Sequence, residues 1–207
     1  MTLFVSEIFP AIQGEGKELG MPTVFLRLSG CNLSCSFCDT PYHTEGKEMS
    51  LEEVFQEIQK YKIDHVTVSG GEPTLQDREV HKLIMEFLEV KYDVSLESNG
   101  VIATHAGYSN ITISPKKQKI NIKVLKEYAK YPNVTFKFVY ESNDDEWWLN
   151  VINDANINLE KVYIMPEGAT RTEQIDKMPE VIKYCLEKGF KFSPRLHVLV
   201  FDDERGK

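Results

Sequence analysis

The chain has 207 residues, 42% of them hydrophobic and 27% charged, which suits a soluble globular protein with one sizeable core and leaves little room for a second. Its 32 acidic and 24 basic side chains give a formal net charge of −8. That argues against general nucleic-acid binding, which normally needs a basic face. No apolar run approaches the roughly 18 residues that span a bilayer, so no membrane role is expected. Met1-Thr2-Leu3-Phe4 lacks the basic region and apolar core of a signal peptide, so a reducing cytoplasm is the expected compartment.

In chain order, Ile12-Gln13-Gly14-Glu15-Gly16 comes first. Two glycines around Glu15 imply a backbone that bends sharply or approaches a ligand, with a plain turn as the alternative. Residues 23–28 form an apolar run that reads as a buried strand, with Arg27 as its exception. Cys31-Asn32-Leu33-Ser34-Cys35-Ser36-Phe37-Cys38 follows directly, and Asp39, Thr40 and Pro41 close it. Ser50 and Glu53 make a capping box ahead of Leu51, Val54, Phe55 and Ile58 at helical spacing. Residues 65–69 are a short β-branched strand ending in Gly70-Gly71-Glu72-Pro73, and 77–90 an amphipathic helix. A strand at 93–96 ends in Glu97-Ser98-Asn99-Gly100, and one at 110–113 ends in Ser114-Pro115-Lys116. Further strands are expected at 134–140, 162–165 and 196–201. Helices fill about 121–131, 144–155 and 172–188, with Pro179 kinking or dividing the last. Cys185 reads as a buried thiol in that helix, and Trp147-Trp148 as core or subunit interface.

Three of the four cysteines are spaced C-x3-C-x2-C. Thiolates are soft ligands, and three on one short loop can hold three corners of a four-iron cubane. The fourth iron then takes a ligand from elsewhere. A Cys3His zinc site completed by His43 is the competing reading. Disulfides are disfavoured, because the cluster leaves one cysteine unpaired and no secretory segment is present.

Strands alternating with helices predict βα units and a mostly parallel sheet with right-handed crossovers. Six or seven strands fit, against the eight of a complete barrel, so the fold class expected is α/β: one domain, 1–207, forming an open, partial TIM-like (β/α) barrel. Each polar motif falls at a strand's C-terminal end, the edge where parallel α/β sheets bind ligands. That placement points to an enzyme.

The cysteine spacing with Gly70-Gly71-Glu72-Pro73 after the next strand resembles the radical S-adenosylmethionine (SAM) enzymes. Gln13-Gly14-Glu15-Gly16, Arg27 ahead of Gly30-Cys31-Asn32-Leu33, and Phe37-Cys38-Asp39-Thr40 narrow the match. With Glu97-Ser98-Asn99-Gly100, Ser114-Pro115-Lys116 and Ser193-Pro194-Arg195-Leu196-His197, they resemble the 7-carboxy-7-deazaguanine synthase family.

The resemblance implies a reaction on 6-carboxy-5,6,7,8-tetrahydropterin. SAM on a reduced 4Fe-4S cluster is cleaved to methionine and a 5'-deoxyadenosyl radical, which takes hydrogen from the carbon bearing the carboxylate. The ring contracts, ammonia leaves, 7-carboxy-7-deazaguanine forms, and SAM is regenerated. Carried over by position, Cys31, Cys35 and Cys38 ligate the cluster. Phe37, Cys38, Asp39, Gly71, Glu72, Ser114, Pro115, Lys116, Met165, Pro166, Glu167 and Gly168 line SAM. Ile12, Gln13, Gly14, Glu15 and Ser69 meet the pterin, Arg27 pairs with its carboxylate, and His197 is a further substrate-side candidate. Thr40 supplies a Mg2+ ligand. For Arg27 the alternative is a structural ion pair, for Thr40 a hydroxyl capping the loop, and for Arg195 and His197 a structural role. The missing side chains of Gly70 and Gly71 would expose backbone groups to SAM, with Glu72 setting the loop. An external electron donor of flavodoxin or ferredoxin type is implied, and an open barrel suits a homodimer. The competing functions are a glycyl-radical activating enzyme, which shares the cysteine spacing, and a small iron–sulfur electron carrier or sensor.

Overall fold

The computed structural model describes residues 1–35, 38, 44–141 and 144–206. Nine strands form one sheet: β1 (Thr2–Ile12), β2 (Pro22–Leu28), β3 (Lys47–Ser50), β4 (His65–Gly70), β5 (Asp93–Ser98), β6 (Asn110–Ile113), β7 (Val134–Tyr140), β8 (Val162–Pro166) and β9 (Lys191–Phe192). Their spatial order is β3-β1-β2-β4-β5-β6-β7-β8-β9. From β2 to β9 every neighbouring pair is parallel, while β1 runs antiparallel to β2 and β3. The outer strands β3 and β9 do not meet, so the barrel is open, as expected.

Helices α1 (Leu51–Gln59), α2 (Asp77–Glu89), α3 (Ile122–Ala129), α4 (Glu146–Asp154) and α5 (Arg171–Lys188) connect the parallel strands. The capping box at the start of α1 forms: Glu53 N–H donates to Ser50 Oγ at 3.2 Å, and Ser50 N–H donates to Glu53 Oε2 at 2.7 Å. Pro179 neither ends nor divides α5. It sits on the exposed side of the helix, and its ring removes one backbone donor there. Cys185 is buried, and Trp148 is fully buried against Phe138, with centroids 5.4 Å apart.

Side chains alternate across each parallel strand. Val24, Leu26, Val66, Val68, Val94, Leu96, Ile111, Ile113, Phe136 and Phe138 point to the helices and form the core. The intervening residues Arg27, Ser69, Glu97, Thr112 and Lys137 line a cleft on the other face. One face holds the fold together and the other is left for chemistry.

The sheet has more strands than the six or seven expected. β3 has four residues and β9 two, too short for a periodic signal. β1 is masked by Pro10, which is tolerated because β3 pairs only with residues 2–5, leaving that flank of β1 open at position 10. The expected strand at 196–201 is a helix, α6 (Leu196–Phe201). Its branched residues favour a strand, but only Val198 is buried, and the Leu196 N–H is tied to the Gly14 carbonyl at 2.9 Å. The edge beside β8 is taken by β9. Tertiary context overrode propensity there.

Candidate active site

The strand ends deliver their motifs to one cleft of about 560 Å³. The cysteine loop follows β2, the Gly-Gly-Glu-Pro turn β4, Glu97-Ser98-Asn99 closes β5, Ser114-Pro115-Lys116 follows β6, and Met165-Pro166-Glu167-Gly168 closes β8. Segment 13–18 leaves β1 at the opposite end of the sheet and crosses its polar face. Glu18 Oε1 accepts from Ser95 Oγ at 2.8 Å and from Asn110 Nδ2 at 2.7 Å near the strand starts, while Gln13 and Glu15 line the cleft. Of the residues expected to bind, Ile12, Gln13, Glu15, Arg27, Cys31, Cys35, Cys38, Ser69, Gly71, Ser114, Lys116, Met165, Pro166, Glu167, Gly168 and His197 line it together. Phe37, Asp39, Thr40 and His43 lie outside the described residues.

Cys31, Cys35 and Cys38 are free thiols; the first two are half-buried and Cys38 is exposed. Burial pushes the Cys31 and Cys35 thiols up, and Lys116 opposes this at Cys35. Among the described residues no three His, Cys, Asp or Glu side chains converge as ligands of one ion. The zinc alternative needs His43, which lies outside the described residues. A cubane takes its thiolates at separate corners, which three cysteines spaced C-x3-C-x2-C can supply. Asn32 accepts from Asn99 Nδ2 at 2.7 Å, while its own buried Nδ2 has no partner among the described residues. An unmet N–H donor in this loop is the kind of group that hydrogen-bonds cluster sulfur.

In the Gly-Gly-Glu-Pro turn, which lines the cleft with Gly70 and Gly71, two N–H groups are taken up within the protein. Gly71 N–H donates to Leu28 O at 3.0 Å and Glu72 N–H to Gly30 O at 2.8 Å, locking the turn to the base of the cysteine loop. A Cβ on Gly71 would lie 2.0 Å from the Gly30 carbonyl oxygen, so glycine is required by that close approach. Glu72 does not line the cleft. Fully buried, it accepts from Thr74 Oγ1 at 2.7 Å, Ser98 Oγ at 2.8 Å and the Asn99 N–H at 2.8 Å. It ties β4's turn to that of β5 and replaces the expected SAM contact with a structural one. Gly14 and Pro115 are likewise outside the lining. A Cβ on Gly14 would lie 2.2 Å from His197 Nδ1, so this glycine lets α6 pack down.

Two charged groups organise the rest of the cleft. Glu15 Oε1 accepts from Arg195 Nε at 2.9 Å, its Oε2 pairs with Lys137, and His197 Nε2 stands 3.8 Å away. Burial alone would raise the Glu15 carboxyl, but Lys137, Arg195 and His197 together hold it well below the usual range. The same burial would lower Lys137, and Glu15 with Glu97 turns that into a rise. The second group centres on Glu97: Gln13 Nε2 donates to its Oε1 at 3.1 Å and Ser69 Oγ to its Oε2 at 2.9 Å. Arg27 Nε is 3.1 Å from Glu7 Oε2, a charge contact without hydrogen-bond alignment, and its guanidinium lies 5.6 Å from the Phe9 ring centroid.

Comparison with known proteins decides the family. Residues 26–203 match the Radical SAM superfamily. The 7-carboxy-7-deazaguanine synthase of Halobacterium salinarum is 34% identical over 234 residues, covering 96% of this chain and 90% of that one. That of Aquifex aeolicus is 32% identical, covering 93% and 91%. The chain belongs to the 7-carboxy-7-deazaguanine synthase family of radical SAM proteins. The crystal structure of QueE from Escherichia coli matches the fold at a TM-score of 0.78 over 95% of both chains, at 21% identity. Family membership retires the activating-enzyme and electron-carrier readings.

Within this synthase-family cleft, Lys137 and Glu97 are the residues that sequence reasoning passed over. Lys137 had a legible signal: it is the one charge in the strand Val134–Tyr140, as Arg27 is in Pro22–Leu28. Glu97 stood inside a quoted motif, but nothing in one sequence shows that it faces Gln13 and Ser69.

Proposed function

We propose that this chain catalyses the ring contraction of 6-carboxy-5,6,7,8-tetrahydropterin to 7-carboxy-7-deazaguanine with loss of ammonia. The observation that carries the reading is that Cys31, Cys35 and Cys38 face the same cleft as the Gln13–Glu97–Ser69 group and Arg27. Those cysteines would hold a SAM-ligated cluster, which when bound and reduced by one electron would supply the radical chemistry. Everything else is positioning. The Glu97 carboxylate, held by Gln13 and Ser69, is an acceptor for the pterin's ring N–H and amino donors. Arg27 has the planar fork that pairs with a carboxylate, and Phe9 and Phe25, stacked at 5.4 Å, give that corner an apolar wall. For SAM, Ser114, Lys116 and the 165–168 segment would supply polar groups on the cysteine side of the cleft.

One radical SAM core domain, 1–207, is supported by the single sheet. Magnesium bound through Thr40 and the substrate carboxylate rests on the resemblance of Phe37-Cys38-Asp39-Thr40, and a hard ion with few protein oxygens suits that role. An external flavodoxin- or ferredoxin-type donor supplies the electron. A homodimer is supported by exposed apolar residues on α5 and α6, among them Ile175, Phe201 and Leu186, the last 81% exposed. A cytoplasmic setting suits free thiols, and no described helix is long and apolar enough to cross a membrane. The test is anaerobic reconstitution with iron, sulfide, SAM, magnesium and a reductant: carboxydeazaguanine should form from the carboxytetrahydropterin. A loaded cluster that cleaves SAM yet yields no product would overturn the substrate assignment.

A further inference from the structure

The chain is acidic, yet residues 116–130 hold six lysines and one glutamate. This stretch covers the Lys116–Lys119 turn and α3, immediately after the β6 motif. Gln118 Nε2 donates to the Ser34 carbonyl at 2.8 Å, so the turn is fastened to the cysteine loop between Cys31 and Cys35. Lys117 is engaged by Asp144 at 2.6 Å and Lys130 by Glu127 at 2.6 Å. Lys119, Lys123 and Lys126 are exposed and make no ion pair among the described residues. On the cleft's rim at the C-terminus the sign reverses, with Asp202, Asp203 and Glu204. Exposed cationic side chains without partners contribute little to stability. A concentrated positive patch in a negative chain does steer an oppositely charged partner.

From this the geometry points to a docking surface: the 116–119 turn and the exposed face of α3 receive an acidic one-electron carrier protein and bring its redox centre to the cysteine loop. The inference rests on the radical SAM reading above and names where its electron enters. Cys38 is exposed on that loop, so a carrier seated beside it needs to reach through little protein, and electron transfer falls steeply with distance. In the step itself one electron leaves the carrier, which is oxidised by one unit. The cluster is reduced by one unit, and no bond forms or breaks.

The experiment uses the cluster-loaded protein and an acidic flavodoxin as probe. Affinity is measured by fluorescence anisotropy of labelled flavodoxin across ionic strength, beside turnover driven by reduced flavodoxin or by dithionite. The double variant Lys119→Glu/Lys123→Glu should weaken flavodoxin binding about tenfold and raise its KM alike, with dithionite-driven turnover unchanged. Lys183→Glu, a charge reversal on α5, should leave both unchanged. Parent affinity should fall steadily with salt. Unaltered flavodoxin affinity in the double variant, or parent binding indifferent to salt, overturns the surface. A single-stranded RNA oligonucleotide that binds the patch more tightly than flavodoxin also overturns it, in favour of a polyanion site. Absence of turnover with dithionite in the parent would instead defeat the underlying reading.

Discussion

Replacing Lys137 by Met removes one cation from the Glu15 group while keeping the bulk of the side chain. Glu15 and Lys137 are 11% and 8% exposed, so water cannot take over the lost contact. Breaking a buried pair costs about 3–5 kcal/mol by leaving a charge uncompensated. Here Arg195 still meets Glu15 Oε1 at 2.9 Å, which places the expected loss at the lower end, about 3 kcal/mol. For a chain of this size that is a fall in Tm of about 6–12 °C. The sign with pH follows from the two directions. Glu15 is depressed, so its contribution is complete above its unfolded value and lost as pH falls through the folded one. Lys137 is raised, so its contribution is complete below its unfolded value and lost as pH rises through the folded one. The penalty in Lys137→Met should therefore be largest between about pH 5 and pH 10 and shrink in acid. Anaerobic calorimetry of the cluster-loaded protein at neutral and acid pH measures it. A fall below about 2 °C at neutral pH, or a penalty that grows in acid, would refute the reasoning.

Other perturbations separate the parts of the site. Gly71→Ala puts a Cβ into the Gly30 carbonyl, so iron and sulfide content should drop well below the parent's, and full cluster loading would count against the close-approach argument. Glu97→Gln keeps the shape but removes the charge facing the pterin donors. KM for the pterin should rise about tenfold or more with SAM cleavage intact, whereas a lowered iron content would place Glu97 elsewhere. Thr40→Ala should blunt the stimulation of turnover by magnesium, and an unchanged magnesium titration would remove Thr40 as a ligand.

The strands that carry the site were readable because each ends in a polar motif, and the resemblance of those motifs extended to nearly the whole chain. What escaped was the work of the alternate face. Ser69 was legible from its motif, but Glu97, one residue past the strand expected at 93–96, looks toward the cleft while Leu96 looks toward the helices. A polar residue on such a strand is chemistry, and Lys137 should have been weighed as Arg27 was. Glu72 shows the converse: its motif was recognised, but only the fold reveals that its carboxylate is taken up by Thr74, Ser98 and Asn99. The 196–201 segment failed because branched residues favour strands locally, while the packing of Gly14 on His197 demanded a turn into a helix. The short edges β3 and β9 depend on long-range pairing, which a local pattern cannot signal.

Substrate deuterated at the carbon bearing the carboxylate tests most directly whether one cleft holds that carbon against the radical source, by mass spectrometry of SAM and product after anaerobic turnover. Deuterium is expected in recovered SAM, passed there from the substrate as the product forms. Product formed with no deuterium reaching SAM or any SAM-derived nucleoside would contradict it.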